Sequence, residues 1–475
     1  MSAYELDSLL TKGCTEYPDH PYIFERGDNA FVPHTFAEFA ADVRSAAAAL
    51  LQKGLAEKHI ILYAANSYAY MITDIAVMTY VGVSCTLSKE WKLPDVNRSA
   101  EILHAAAIIY DAPREEIVSA LRVQHPELLC IRIDELLHLP TCTQTLTPRS
   151  TEICCKIIFS SGTTGNPKAV MLSQRAMFAN WDSLHLRTPF SIEDRDYLFL
   201  PLSHTYSGVC NFLYSICNGM QIYLCSDTKK ITEELQMVRP TVFCAVPLIY
   251  ERIYDACKAM GISPNAALGG CIRYLFCGGA YFKPELRKFY KDAGLNMLEA
   301  YGLTETSSII SVEYTAPDDF ESVGTVMESL DIKIADPNEN GIGEILVRGD
   351  NLFSGYFANP EATAAAFDAD GFFRTGDLGS LSGRKLYLKG RKRRMILLSN
   401  GENIYPDEIE AKFAEYPQLS KAKVFAENGQ ICAVLYAVAE CDGDRITEAV
   451  NARLPGYAKI RKTEVIRDSI DTRLK

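Results

Sequence analysis

Nine consecutive residues, Ser160 to Lys168 (SSGTTGNPK), combine small side chains, hydroxyls and a single lysine. Small residues let a backbone approach an anion closely, hydroxyls donate to phosphate oxygens, and an ammonium adds charge. Ser161, Gly162, Thr163, Thr164, Gly165 and Lys168 are therefore candidates for holding a phosphate. The stretch is not a P-loop, because its glycine-to-lysine spacing differs from GxxxxGK[ST]. Read alone it also fits a surface turn. Its neighbours tip the balance: an apolar strand, ICCKIIFS (153–160), precedes it, and VMLSQRAMFAN (170–180) reads as a helix after it.

Other candidates are bland one by one. Thr304 and Glu305 could cap a helix and begin its first turn. Asp377, in TGD, suits a turn. Tyr301 suits a core, and His204 an ordinary half-buried site. Gly401, beside Asn400, suits a tight turn. The run GRKRRM (390–395) is basic enough to suggest an anionic partner.

Short apolar runs alternate with helical patterns along the first 312 residues. HIILYAA (59–65), AAAIIYDA (105–112), PTVFCAVP (240–247) and IRYLFCGG (272–279) read as strands. FAEFAADVRSAAAALL (36–51), LIYERIYDACKAMG closed by Gly261, and PELRKFYKDAG opened by Pro284 read as helices. Such alternation predicts parallel sheets flanked by helices. From about residue 313 the texture becomes antiparallel, with alternating stretches at 331–334 and 344–348 joined by the turn NENGIG. A third texture, from about residue 389, carries the helix DEIEAKFAEY, a strand pair near 421–439 and the helix DRITEAVNARL. The predicted fold class is α/β. A large N-terminal domain (1–390) of flanked sheets would contain a small antiparallel, β-barrel-like part at about 313–388. A small, mobile α+β domain would follow at 391–475.

Composition limits the function. The chain has 475 residues, 48% hydrophobic and 23% charged, which suits a globular protein of several units. Forty-eight basic against sixty acidic side chains give a net charge of −12, a poor starting point for a nucleic-acid binder. Fifteen cysteines are scattered without a CxxC pair or a Cys/His zinc cluster, so they read as reduced, mostly buried thiols of a cytoplasmic protein. The start MSAYELDSLL lacks the basic segment and apolar run of a secretory signal. Asn66, Ser67 and Asp74 interrupt the greasiest stretch, so no transmembrane segment is expected.

The phosphate-like loop is followed, in order, by LPLSHTYS (200–207), EAYGLTET (299–306), FFRTGDLG (372–379) and LKGRKRRMILLSNGENIYPDEIE (388–410). This ordered set resembles the adenylate-forming superfamily, which includes acyl-CoA synthetases, peptide-synthetase adenylation domains and beetle luciferases. The resemblance implies that a carboxylate attacks the α-phosphate of ATP, and that the acyl group of the resulting adenylate passes to a thiol. The carboxylate is itself the nucleophile, so the site must chiefly position groups and neutralise charge.

The resemblance also implies roles. Thr163, Thr164 and Lys168 would cradle the outer phosphates, and Thr304 would bond the α-phosphate. Glu305 would hold Mg²⁺, a hard cation that takes carboxylate and phosphate oxygens. Gly278, Gly279 and Ala280 would form one adenine wall, and Tyr301, followed by Gly302, the other. Asp377 would accept the ribose hydroxyls, and Arg391 would reach the ribose. His204 would stand beside the bound carboxylate. Lys475, the last residue, best matches the family's C-terminal catalytic lysine, with Lys459 and Lys462 as alternatives. Arg393 would be the hinge between two poses of the small domain, and Gly401 would line the pantetheine tunnel.

The motifs look most like the fatty-acyl branch. Where the peptide-synthetase branch carries an Asp for an α-amino group, at the early-helix position after PLSHTYSGVCNF, this chain has no acid, and the pocket wall the resemblance implies, 206–213 and 246–249, is apolar or aromatic; the resemblance therefore implies a fatty or other non-amino acid. The leading expectation is an AMP-forming acid–thiol ligase transferring to CoA. The alternatives are a ligase that loads the phosphopantetheine of an acyl carrier protein, and a catalytically silent nucleotide-binding homologue.

Overall fold

The structure is a computed structural model, which describes residues 5–160, 167–313, 319–397, 403–427 and 430–467. The chain divides into two compact units. The first comprises residues 1–320, 324–331 and 348–367; the second comprises 321–323, 332–347 and 368–475.

Two sheets build the first unit. In one, Leu129–Arg132, Ala107–Tyr110, His59–Tyr63, Val83–Thr86 and Cys154–Ser160 lie side by side and parallel. Lys168–Ser173 and then Gly355–Tyr356 extend it antiparallel. In register, Ile61 stands beside Cys85 and Ile108, and Cys85 beside Ile157. These side chains are fully buried, which is why the strands read as continuous apolar runs. The second sheet has a parallel centre running Pro21–Arg26, Gln221–Leu224, Arg195–Leu198, Val242–Ala245, Tyr274–Cys277 and Met297–Tyr301. Antiparallel strands flank that centre, Phe31–Thr35 beside Pro21–Arg26, and Ser311–Val312 followed by Thr325–Val326 beside Met297–Tyr301.

The helices form where their signals stand. Thr35 caps Phe36–Gln52, accepting from the Glu38 amide while the Glu38 carboxylate accepts from the Thr35 amide. Pro247–Met260 ends on Gly261 in the left-handed conformation, φ 67°. The helix Tyr68–Ala76 is buried along its whole length, and it carries Asp74. Lys156, on the strand that leads into the glycine–threonine stretch, meets Asp74 at 2.6 and 2.8 Å, with both side chains essentially inaccessible. Removing one partner of such a pair costs about 3–5 kcal/mol, because a charge is left buried and unpaired.

The second unit joins antiparallel strands to an α+β portion. Leu330–Ala335, Gly343–Gly349, Phe373–Ser382 and Lys385–Arg391 are sheet neighbours in that order. Asn338 builds the turn between the first two: its side chain accepts from the amides of Asn340 and Ile342, both at 3.0 Å. The α+β portion packs helices Pro406–Phe413 and Gly443–Asn451 against strands Leu419–Glu427, Gln430–Ala437 and Lys462–Arg467. Ile409, Phe413, Val424, Leu435 and Val450 form its core. All fifteen cysteines are free thiols, seven buried and eight half-buried. Among the described residues no helix is long and apolar enough to cross a membrane.

Candidate active site

The stretch Ser160–Lys168 does not lead from a strand into a helix. Lys168–Ser173 is a strand antiparallel to Cys154–Ser160, with Ser160 and Lys168 as cross-strand partners, and the helix Gln174–Phe178 starts only afterwards. The apolar Ala169, Val170 and Leu172 are buried in this strand, and tertiary packing overrides the helical appearance of the segment. The glycine–threonine stretch is thus flanked by two strands, and a helix does not open at its end. Ser161, Gly162, Thr163, Thr164 and Gly165 lie outside the described residues.

Lys168 is described. Its Nζ sits 4.3 Å from the ring centroid of Tyr356, a cation–π arrangement. Tyr356 comes from a segment that the sequence reading passed over. Gly355–Tyr356 pairs with Lys168–Ser173, setting Tyr356 opposite Val170, and Phe357 donates its amide to the Ala169 carbonyl at 2.8 Å. The Tyr356 hydroxyl donates to Glu305 Oε1 at 2.9 Å. Burial, and then the charge of Glu305, raise the phenol well above its usual pKa, so the hydroxyl remains a donor.

Glu305 and Thr304 occupy the short turn Thr304–Thr306, just after the strand Met297–Tyr301. Gly302 lets the chain pass there, since a Cβ would collide with the backbone carbonyl of Ser308. Ser307 and Ser308 both take positive φ, 48° and 85°, a strained pair of the kind that collects at functional sites. Buried asparagines hold the turn from outside. Asn351 donates to the carbonyls of Thr306 and Ile309 at 3.0 and 2.8 Å, and Asn180 donates to Ile309 at 3.0 Å. Phe353 donates its amide to the Glu305 carbonyl at 2.9 Å, which ties the segment bearing Tyr356 to the turn.

The donor set at Glu305 fits Mg²⁺. Among the described residues no three His, Cys, Asp or Glu side chains gather as a metal cage. A single half-buried carboxylate matches an ion bound mainly by phosphate oxygens and water.

Gly278, Gly279 and Ala280 follow the strand Tyr274–Cys277, whose parallel neighbour Met297–Tyr301 ends at Tyr301. Both groups therefore lie at carboxyl ends of adjacent parallel strands, where α/β sheets bind ligands. A Cβ on Gly278 would stand 3.0 Å from the Ala300 carbonyl, and Gly279 has φ 83°. Tyr301 is 9% exposed. Arg287 braces this strand from behind, 2.8 Å from the Glu299 carboxylate.

His204 follows the strand Arg195–Leu198 in a loop clamped by Asn66, which donates to the Leu200 carbonyl at 2.7 Å and accepts from the Leu202 amide at 2.9 Å. The sequence reading did not single out Asn66. After His204 the chain winds through a π-helical stretch, Tyr206–Leu213, a wide turn type enriched at functional sites. The Tyr206 hydroxyl donates to the Phe276 carbonyl at 3.0 Å, linking this stretch to the strand before Gly278. His204 keeps more than a third of its surface accessible, yet its crowded surroundings push the imidazole below its ordinary pKa. Behind the same stretch, Asn211 donates to the fully buried Asp196 at 2.6 Å. Burial pushes the Asp196 carboxyl up to about 7.

In the second unit, Asp377 and Arg391 are cross-strand partners, and Arg391 Nε lies 2.8 Å from Asp377 Oδ1. Gly376, at φ 72°, lies within the strand Phe373–Ser382 where its pairing with Gly343–Gly349 shifts register, just before Asp377. The Asp377 amide donates to Thr375 Oγ1 at 3.1 Å, and that hydroxyl donates to the Ile345 carbonyl at 2.8 Å. Asp377 is 5% exposed, whereas the Arg391 side chain is 41% exposed.

The basic run is largely neutralised within this unit. Lys389 faces Glu408, Lys392 meets Glu344 at 2.7 Å, and Arg394 binds Asp407 and Glu410. Arg393 alone of the run's arginines makes no ion pair among the described residues, and burial with the neighbouring Arg391 and Arg394 lowers its pKa. Lys462 faces Glu427 at 3.4 Å and Lys459 is exposed. Gly401 and Lys475 lie outside the described residues.

The pattern of the family described as AMP-binding enzyme matches residues 10–357, more than half of the chain. A long-chain-fatty-acid–CoA ligase of Mycobacterium bovis is 28% identical over 481 aligned positions, covering 86% of this chain and 78% of that protein. A feruloyl-CoA synthase of an Amycolatopsis species is 27% identical, covering 92% and 91%. ATP-bound MatB from Rhodopseudomonas palustris has the same fold, with a TM-score of 0.85 at 22% identity over 98% of this chain and 95% of that one.

Proposed function

Because the chain belongs to the AMP-binding enzyme family, we propose that it is an AMP-forming acid–thiol ligase. It activates a fatty or other non-amino carboxylic acid with ATP and transfers the acyl group to the thiol of CoA. The observation that carries this reading is the arrangement around Tyr356, with a lysine over the ring face and a carboxylate at the hydroxyl. A cation for phosphates and an anion for Mg²⁺ are the two charges an in-line phosphoryl centre requires. Relatives named as CoA ligases for fatty and aryl acids support the substrate class.

The acid's carboxylate oxygen attacks the α-phosphorus of ATP. An oxygen–phosphorus bond forms as the bridging bond breaks, and pyrophosphate leaves. Lys168 neutralises charge on the outer phosphates, helped by Thr163 and Thr164, and Thr304 donates to the α-phosphate. Mg²⁺ at Glu305 would screen the phosphate charge. Gly278–Ala280 and Tyr301 enclose the adenine, and Asp377 and Arg391 engage the ribose. His204, neutral at physiological pH given its lowered pKa, sits beside the carboxylate without adding charge that would compete for it. A thiol then attacks the acyl carbonyl and AMP departs, with Gly401 lining the thiol's path and Lys475 serving the first half-reaction. Residence in the cytoplasm accords with fifteen free thiols, none of them exposed.

The test incubates the protein with Mg-ATP, CoA and a pool of aliphatic, aryl and amino acids, with products read by mass spectrometry. Acyl-CoA with AMP is the expected result. Acyl-AMP without thioester would transfer the second step to a carrier protein, and the absence of both products would refute ligase activity on those acids.

A further inference from the structure

We infer that Tyr356 is a positioning residue that keeps the ammonium of Lys168 and the carboxylate of Glu305 from pairing with each other, so that each stays available to a ligand. The inference rests on the phosphate and metal roles proposed above for Lys168 and Glu305.

The two charges approach the same ring. Lys168 Nζ stands 4.3 Å above its centroid, and Glu305 Oε1 receives its hydroxyl at 2.9 Å. Neither Lys168 nor Glu305 makes an ion pair with any other described residue, although elsewhere in the chain lysines within reach of acids close on them, as at Lys156–Asp74 and Lys392–Glu344. A flexible lysine stem beside a carboxylate closes in the same way unless something occupies the gap. Tyr356, 6% exposed, holds both groups, the ammonium on its ring face and the carboxylate at its hydroxyl.

The ring cannot swing away easily. Its backbone is paired with Val170, its amide donates to Thr363 Oγ1 at 2.9 Å, and Phe353 packs edge-on with ring centroids 4.8 Å apart. A cation–π contact is weaker than a close ion pair, so an arriving phosphate can draw Lys168 off the ring without breaking a salt bridge. The hydroxyl meanwhile holds one oxygen of Glu305, and no hydrogen bond to Oε2 is made by the described residues, which leaves that oxygen for a cation.

Calorimetric titration of ATP in EDTA reads the lysine side, and electron paramagnetic resonance of Mn²⁺ added to the protein–ATP complex reads the carboxylate side. Tyr356→Phe keeps the ring and loses the hydroxyl: metal-free ATP binding should stay within about twofold, while Mn²⁺ binding weakens about tenfold, the worth of one hydrogen bond. Tyr356→Leu opens the gap, so metal-free ATP binding should weaken about tenfold as Glu305 captures Lys168. Adding Glu305→Gln to Tyr356→Leu should then restore most of that affinity, which a merely structural defect would not allow. Unchanged Mn²⁺ binding in Tyr356→Phe overturns the inference, and it does so even if Tyr356→Leu fails to fold. A folded Tyr356→Leu that binds metal-free ATP normally, or that Glu305→Gln does not rescue, overturns it as well. Failure of the unaltered protein to bind ATP would instead sink the phosphate-site reading itself.

Discussion

Opposite charges are handled in two ways in this molecule. In the first unit Lys168 and Glu305 share a tyrosine and stay apart. In the second, Asp377 and Arg391 touch at 2.8 Å across a strand pair. In the function proposed above, the separated charges would keep their full strength for a ligand that brings its own charge, as phosphates and Mg²⁺ do. The joined pair is close to neutral, and it presents an oriented carboxylate, which suits neutral ribose hydroxyls that need an acceptor and no net field. Asp196 is a natural control for both. Among the described residues it is buried without a cation partner and accepts from the amide of Asn211, and burial pushes its carboxyl up to about 7.

The sharpest way to break this comparison is to remove the isolated anion. Glu305→Ala should slow pyrophosphate release by about 10³-fold, the scale for losing a group that stabilises developing charge. Near-normal release would remove Glu305 from the site and leave its isolation without purpose.

The joined pair should respond more mildly and unevenly. Asp377→Ala loses two acceptor bonds and should lower kcat/KM for ATP about 10²-fold. Arg391→Ala should lower it only about tenfold, because a 41% exposed arginine forms a screened, surface-like pair. Steady-state kinetics on both variants checks this, and equal losses would mean that the pair acts as a unit.

Asp196→Asn should leave chemistry alone and change stability with a defined sign. The native carboxyl holds its proton up to about pH 7, whereas an unfolded aspartate releases it near pH 4. The native state therefore binds more protons across that window, and its stability falls as pH rises through it. The amide cannot ionise, so the variant should gain about 1–3 kcal/mol over the parent at pH 8 and little at pH 4.5. Denaturant melts at the two pH values check it; an equal difference at both would show that Asp196 does not titrate.

Much of the fold is legible in the sequence. The strands at 59–63, 107–110, 242–245 and 274–277 and the helix ended by Gly261 fall where their apolar runs and glycine place them. The motif residues Thr304, Glu305, Asp377 and Arg391 carry chemistry in their side-chain types, so the sequence could nominate them. Tyr356 could not be nominated. Its segment, FSGYF, looks like ordinary core, and only the pairing of Tyr356 with Val170, some 186 residues away in sequence, delivers its hydroxyl to Glu305. Asn66, Asn180 and Asn351 were hidden for the same reason, since their partners are backbone carbonyls and amides far along the chain. The strand at 168–173 was misread because Val170, Met171 and Leu172 form a short apolar run, which periodicity alone cannot assign.

The fifteen free thiols give the protein an internal set of clocks. Cys85, Cys155, Cys217, Cys244 and Cys277 are buried and hold their protons far above the usual thiol range, so a disulfide reagent in solution meets them only when their element opens. Each labelling rate then reports the opening free energy of one named strand or helix. Cys155 times the strand that leads into the glycine–threonine stretch, Cys277 the strand that ends before Gly278, and Cys432 the sheet of the second unit. Ligand-induced tightening could be followed strand by strand on the unmodified chain, with no probe introduced.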